Sequence, residues 1–404
     1  MNLLRNKKIL INIFFSILLS SAIFLLSLDY AMWTNFWGAL KIPPNGSPFS
    51  DLRAHIFFLE CYNNGINIYE EACSLINLGN AKISTHPKIW IYLFDFLNLK
   101  NIFIFNSMIL LLIFFYFFTI LDFKNNFTKK YEKIYYWLFF LSTSNFILIE
   151  RLSTDLVIFL LVYIIVHSKQ KIIQFLLIYI GYFLKYYPVF LCSLFIIKKK
   201  YLFGFILSFF ILFIFLFYEN VENINNNIVE IALPIAYGSR TMLKAFYHIS
   251  EQYNFFINDE NLNFFRYIVI ATFGLYSLIL ILVGYVMTTN LYLQTFFDKK
   301  FIAGASIFIG TYIIGANVDY RLIFLIFALP LILRLENKLL RNIFLISFLF
   351  SINSFYFLIG EKLSLIFFFS STIIFLCKFI IFSILSLIMG SQLRSINFFK
   401  KYNV

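Results

Sequence analysis

Five short stretches of this chain carry polar residues whose types and spacing could do chemistry. In "SPFSDLRAHIFFLECYNNGINIYE", Asp51 and His55 stand four residues apart. On a helix they share one face, offering a carboxylate to take a proton and an imidazole to orient a partner. In "THPKIWIYL", His86 and Lys88 flank Pro87. In "IERLSTDLVIFLL", Glu150 and Arg151 precede Asp155, which lies one turn inside an apolar run. In "GYFLKYYPVFLC", Lys185 and Tyr187 come just before Pro188, and in "GANVDYRLIFLIFALP", Asp319, Tyr320 and Arg321 interrupt apolar sequence. Charges at mid-membrane cost about 2.5 to 3.5 kcal/mol each, so those kept beside apolar segments are candidates for function. Together they offer carboxylates to move protons and cations to hold an anion such as phosphate.

Each has a plainer reading. Asp51 could cap a helix after Pro48 and Ser50. His86 could be an interfacial hydrogen-bonder, and Glu150 with Arg151 a local ion pair in a helix hairpin. Lys185 could snorkel to lipid phosphate. Arg321 could pair with Asp319 rather than hold a ligand.

The elements that position these residues follow from composition. Of 404 residues, 61% are hydrophobic and 13% charged, and the mean hydropathy is +0.84, far outside the range of soluble globular proteins. An all-α, polytopic transmembrane helical bundle is expected, as a single integral domain over residues 1–404. The net charge of +13 reads as cytoplasmic anchoring of helix ends rather than as a nucleic-acid surface. Heavy use of Phe, Ile, Asn and Lys matches AT-rich codons and says little about function.

Apolar runs predict spans near 9–28, 101–122, 134–149, 152–167, 172–184, 187–197, 201–218, 266–290, 301–316, 321–334, 342–359 and 364–389, about twelve in all. The first, with its basic front and no small-residue cleavage site, reads as a retained helix. Placing the amino terminus inside puts Arg5, Lys7 and Lys8, Lys124 to Lys133, Lys169 and Lys171, Lys198 to Lys200, Lys299 and Lys300, Arg334 to Arg341, and Arg394 to Lys401 on the cytoplasmic side. Only Asp122, Glu132, Asp298 and Glu336 of the 20 acids join them, a self-consistent positive-inside pattern with both termini cytoplasmic.

Two long outer segments remain, about 29–100 and 219–265. Asp51, His55, Phe58 and Leu59 recur at helical spacing, with an apolar stripe of Ile56, Phe57 and Leu59 to Cys61, and should form an amphipathic helix on the outer surface, ended by "NNG". "PKIWIYLFDFLNLK" is too short to cross and too apolar for water, and reads as a re-entrant or surface-lying helix. If this first loop lies outside, Cys61 and Cys73 could form a disulfide. Lys185 and Tyr187, and likewise Asp319 to Arg321, fall at outer apices between spans, with Pro188 opening a helix where no N–H is needed. Asp51, Lys185 and Arg321 are thus expected on one face, where an anionic lipid headgroup is the natural ligand. No Gly-rich phosphate loop, metal-ligand spacing, Ser/His/Asp order or fixed-period repeat is present.

The order "DLRAH…NNGINIYE", "HPKIWIYL", "ERLSTDLVIFLL", "LKYYPVFL", "DYRLIFL" resembles the GT-C superfamily of polytopic glycosyltransferases, in the mannosyltransferase-like branch that uses polyprenyl-phosphate sugars. The resemblance spans about residues 45 to 335. It implies a hexosyltransferase of the cell membrane, moving a sugar such as mannose from a polyprenyl-phosphate donor to a lipid-linked or cell-envelope glycan acceptor on the outer face. It implies Asp51 as the base, with Asp29 a competing match, and Lys185 and Asp319 to Arg321 as substrate-binding residues. His55, His86, Asp155 and Tyr187 complete the expected substrate site. No nucleotide, nucleic acid or cofactor is expected, and no ligand spacing supports a divalent metal. Ser153 and Thr154 stand where relatives often show Gly-Asn, and "THPK" replaces a commoner Tyr-Pro-Pro, departures that bear on substrate identity more than on reaction type. Two other readings stay open. A polysaccharide polymerase would rest on Arg240, Lys244 and His248 of the second loop, and a lipid-linked oligosaccharide flippase would need charge near the midplane, where only Lys378 lies well inside a predicted span.

Overall fold

The computed structural model describes residues 2–69, 71, 73, 87–195, 236–239, 241, 243, 262–287, 298–315, 317–357 and 365–395. It is mostly helical. Four helices, Lys7–Leu26, Ile102–Asn126, Phe264–Val286 and Phe369–Arg394, are long and apolar enough to cross a membrane. Contacts cluster into two compact units, the first mainly within residues 1–189 and the second mainly within 230–404.

The first unit opens with α1 (Asn2–Leu26) and α2 (Tyr30–Ala39). Asp29 caps α2, accepting from the Ala31 and Met32 N–H groups at 2.8 and 3.0 Å, and it is exposed. Next come α3 (Ser50–Asn63), α4 (Ile89–Phe96) and α5 (Ile102–Phe123), which packs on α1. The helical spacing from Asp51 to Leu59 is realised in α3, which ends at Asn64 with Gly65 at a φ of +80, a left-handed position that glycine occupies without strain. The cap position of α3 is Phe49, so Asp51 lies in the first turn and is not the cap. Cys61 and Cys73 are joined by a disulfide, fastening the end of α3 to the chain beyond it.

The predicted span 134–149 divides into α6 (Lys130–Phe140) and α7 (Thr143–Arg151). The polar cluster from Ser142 to Asn145 is the reason, since short polar side chains compete for backbone groups. The Asn145 amide donates to the Phe140 carbonyl at 2.7 Å and closes α6. Two helices, α8 (Asp155–His167) and α9 (Lys171–Leu184), pack together. The chain then enters a 3-10 stretch, Tyr187–Phe195, where an α-helical span was expected. The predicted span 201–218 lies outside the described residues.

The second unit contains β1 (Ala236–Tyr237), α10 (Leu262–Val286), α11 (Lys299–Ile314) and β2 (Asn317–Val318). A 3-10 turn, Asp319–Phe324, leads into α12 (Leu325–Leu333), followed by α13 (Lys338–Ile352), α14 (Ser354–Phe357) and α15 (Leu365–Ser395). The break in the predicted span 342–359 falls at Asn353, whose amide donates to the Leu349 carbonyl at 3.2 Å. A stacked core of Tyr237, Phe308, Tyr312 and Phe382 fills the unit, with Tyr312 and Phe382 4.4 Å apart. Where α10 and α15 cross, Gly284 lies on the Leu387 carbonyl and Gly390 on the Ile281 carbonyl, so closely that neither site has room for a Cβ. Backbones that touch at small residues gain dispersion contacts that lipid cannot replace.

Candidate functional site

The entry to α3 is set by residues far from it in sequence. Phe49 takes a left-handed conformation at φ 58, which costs a non-glycine residue on the order of 1–3 kcal/mol unless its surroundings hold it. Two contacts hold it. Its N–H donates to the Glu150 carbonyl at 3.1 Å, and its ring packs edge-on against Trp33 with centroids 5.0 Å apart. The Glu150 carboxylate in turn accepts from the Asn45 N–H at 3.0 Å, and the Asn45 amide reaches Ser50 at 3.1 Å. Glu150 therefore braces both sides of the turn that delivers Asp51.

Asp51 is half-buried in the first turn of α3, near the positive end of the helix dipole. One turn on, His55 is buried between two rings, stacked on Trp90 at 5.1 Å and tilted against Phe94 at 5.3 Å. Burial, reinforced by the Lys185 cation, lowers its pKa to about 3. His55 is thus neutral near pH 7, a hydrogen-bonding ring rather than a proton carrier. The same Trp90 donates its indole N–H to the Leu184 carbonyl at 2.9 Å. That bond satisfies a carbonyl at the end of α9 and fixes the residue next to it, Lys185.

Lys185 and Asp155 form a buried ion pair. Asp155, in the first turn of α8, also accepts from the Tyr187 hydroxyl and from Ser153 at 3.1 Å. Pro188 rests on Gly181, whose missing side chain leaves it room. Asp155, Tyr187 and Lys185 thus form one polar cluster, and Trp90 ties it to α3 by stacking on His55 and bonding the Leu184 carbonyl. Asp155, expected to bind substrate, is the countercharge of Lys185.

Glu150 was expected to pair with Arg151, and that contact is present at 3.8 Å. Burial nevertheless dominates, pushing its carboxyl up to about 7, with Asp51 adding to the rise; the Asn45 N–H, the Arg151 guanidinium and the Trp33 indole pull the other way. A carboxyl near neutrality beside Asp51 is the feature that sequence reasoning missed. Its signal was the apolar run "NFILIE", which marks Glu150 as the end of a buried helix.

In the second unit, Asp319 pairs with Lys378 at 2.6 Å, both side chains fully buried. Ser354 adds a hydrogen bond to Asp319 at 2.5 Å, and Lys378 also donates to the Ala236 carbonyl at 3.2 Å. The Arg321 guanidinium donates instead to Asn317, so the neighbouring Asp319 is not its ion-pair partner. His86, Arg240, Lys244 and His248 lie outside the described residues. Among the described residues no three His, Cys, Asp or Glu side chains gather as metal ligands do. Comparison with protein-family models, with characterised proteins and with solved structures finds no match.

Proposed function

We propose that this chain is a multi-pass membrane glycosyltransferase of GT-C type, with about twelve spans and both termini cytoplasmic. It moves a hexose such as mannose from a polyprenyl-phosphate donor to a lipid-linked or cell-envelope glycan acceptor on the outer face of the cell membrane. The observation that carries this reading is the stacking of His55 on Trp90, whose indole N–H bonds the carbonyl beside Lys185, because it brings α3, which carries Asp51 one turn before His55, to the turn that carries the cation. The Cys61–Cys73 disulfide supports an outer position for the first loop, since such bonds persist in oxidising compartments.

In the proposed reaction Asp51 takes the proton of the acceptor hydroxyl. The resulting oxygen attacks the anomeric carbon, and the carbon–oxygen bond to phosphate breaks with its electron pair leaving on the polyprenyl phosphate. Lys185, and by the sequence pattern Arg321, oppose the charge that grows on the phosphate. Neutral His55 orients a hydroxyl. Asp155 and Tyr187 hold Lys185 in place.

Transfer of a labelled hexose from polyprenyl phosphate tests the reading in purified protein. Asp51→Asn should lower turnover by about 10²- to 10⁴-fold, the range for loss of a general base, while the protein still inserts. Full activity in both Asp51→Asn and Lys185→Met would overturn the site.

A further inference from the structure

The buried pair of the second unit touches four separate pieces of chain. Lys378 comes from the interior of α15, Asp319 from the turn after β2, Ser354 from α14, and Ala236 from β1. The two strands are short. Among the described residues the ladder has two facing pairs, Ala236 opposite Val318 and Tyr237 opposite Asn317. A ladder of two residues has little stability of its own, so what keeps β1 in place must be its other contacts. Gly238, at φ +110, sits against the Gly315 and Tyr312 carbonyls with no room for a Cβ. Ser239 donates to the Ile313 carbonyl, Tyr237 stacks on Phe308, and the Lys378 ammonium supplies a further bond, to the Ala236 carbonyl, while its charge is met by Asp319.

The strand held in this way leads to Arg321. Asn317 accepts from the Arg321 guanidinium, and its own amide donates to the Thr311 carbonyl at 2.7 Å. The orientation of that amide, and with it the guanidinium, depends on β2 being paired with β1.

We infer that Lys378 is a positioning residue that pins the Ala236–Ser239 segment of the second loop onto the Asp319 turn and so presents Arg321 to an anionic group of the substrate. The assignment of that anion as a lipid-linked phosphate rests on the transferase reading, but the pin itself does not. A buried ion pair is a poor source of stability and is better explained by specification of one arrangement. An ammonium with three donors can bond a carboxylate and a backbone carbonyl at once, which no apolar residue at position 378 could do.

The test uses the full-length chain with Cys192 and Cys377 replaced by serine and cysteines introduced as Ala236→Cys and Val318→Cys, facing positions of the ladder. Oxidative cross-linking between them reports whether β1 is seated. The double variant Lys378→Met with Asp319→Asn removes the pair without leaving an unpaired buried charge, and so should still insert. Its cross-linking should be about tenfold slower, the factor that one charge-assisted hydrogen bond is worth. With a polyprenyl-phosphate hexose as donor, and the two strand positions left unsubstituted, it should raise KM about tenfold and leave kcat little changed. Cross-linking at the parent rate would overturn the pin. If the double variant does not insert, Asp319→Asn alone is read. It keeps the ammonium bond to Ala236 and should cross-link at the parent rate, whereas loss of cross-linking there would assign the seating to the carboxylate and overturn the role of Lys378. Absence of hexose transfer in the parent would count against the transferase reading and leave the cross-linking result standing.

Discussion

The two units each contain a buried lysine–aspartate pair, and the pairs differ in what surrounds them. Lys185 and Asp155 sit at helix ends, with side-chain exposures of 7% and 0% and with the Tyr187 and Ser153 hydroxyls as the further partners of the carboxylate. Lys378 and Asp319 are both at 0%, with the lysine in the interior of a long helix and a carbonyl and a hydroxyl as the further partners. One chemical pair thus serves two ends. In the first unit it joins the ends of two helices, and in the second it joins a helix interior to a turn and a strand.

Removing one lysine at a time should separate the two uses most strongly. Lys378→Met leaves Asp319 charged in the core and should cost about 3–5 kcal/mol, read as loss of the inserted, monodisperse protein or a much lower melting temperature. Lys185→Met leaves Asp155 with Tyr187 and Ser153 as donors, and should cost only about 1–3 kcal/mol while transfer fails. Equal destabilisation by the two would erase the distinction.

The second measurement concerns Glu150. In the unfolded chain its proton leaves near pH 4.5, and in the folded one near 7. Burial of the neutral form therefore favours the native state at low pH, and this contribution is lost as pH rises from 4.5 through 7. Glu150→Gln, neutral at every pH, should be more stable than the parent at pH 8 by roughly 3 kcal/mol, with the gain fading towards pH 5. A gain independent of pH would mean that the carboxyl titrates normally.

His55 gives the opposite sign. Its folded pKa is lowered from 6.5 to about 3, so the unfolded chain binds a proton first and stability falls as pH drops below 6.5. Near pH 5 the loss should be about 2 kcal/mol, and His55→Gln should remove that slope from a thermal melt series. The smallest effect belongs to Trp90→Phe. It keeps a ring beside His55 and loses only the bond to Leu184, for about 1 kcal/mol, and hexose transfer should fall more than this stability loss alone accounts for, because Lys185 loses its support.

Much of this arrangement was legible in the sequence, though unevenly. The extent of α3 followed from the spacing of Asp51, His55 and Leu59 and from "NNG", because a half-buried helix leaves a periodic trace. Uniformly apolar runs leave none, so the 3-10 geometry of Tyr187–Phe195 and of Asp319–Phe324 could not be separated from α-helix by pattern. Partner choice was harder still. Arg321, two residues from Asp319, offered a local partner as the alternative to holding a phosphate, but the lysine that pairs with Asp319 lies on α15, a contact created only by packing. Glu150 was legible only in part for the same reason, since its contact with Arg151 is present but does not dominate. Its neighbour Arg151 was visible, whereas the burial that outweighs that neighbour is a property of the fold.

The crossing of α10 and α15 bears on how this chain can vary. Every missense change of a glycine codon, whatever base is altered, installs at least one side-chain carbon. At Gly284 and Gly390 that carbon would land on the facing helix's backbone, so no missense substitution at either codon is conservative. Saturation mutagenesis should return these two codons as the least tolerant of their helices, ahead of the large apolar residues around them.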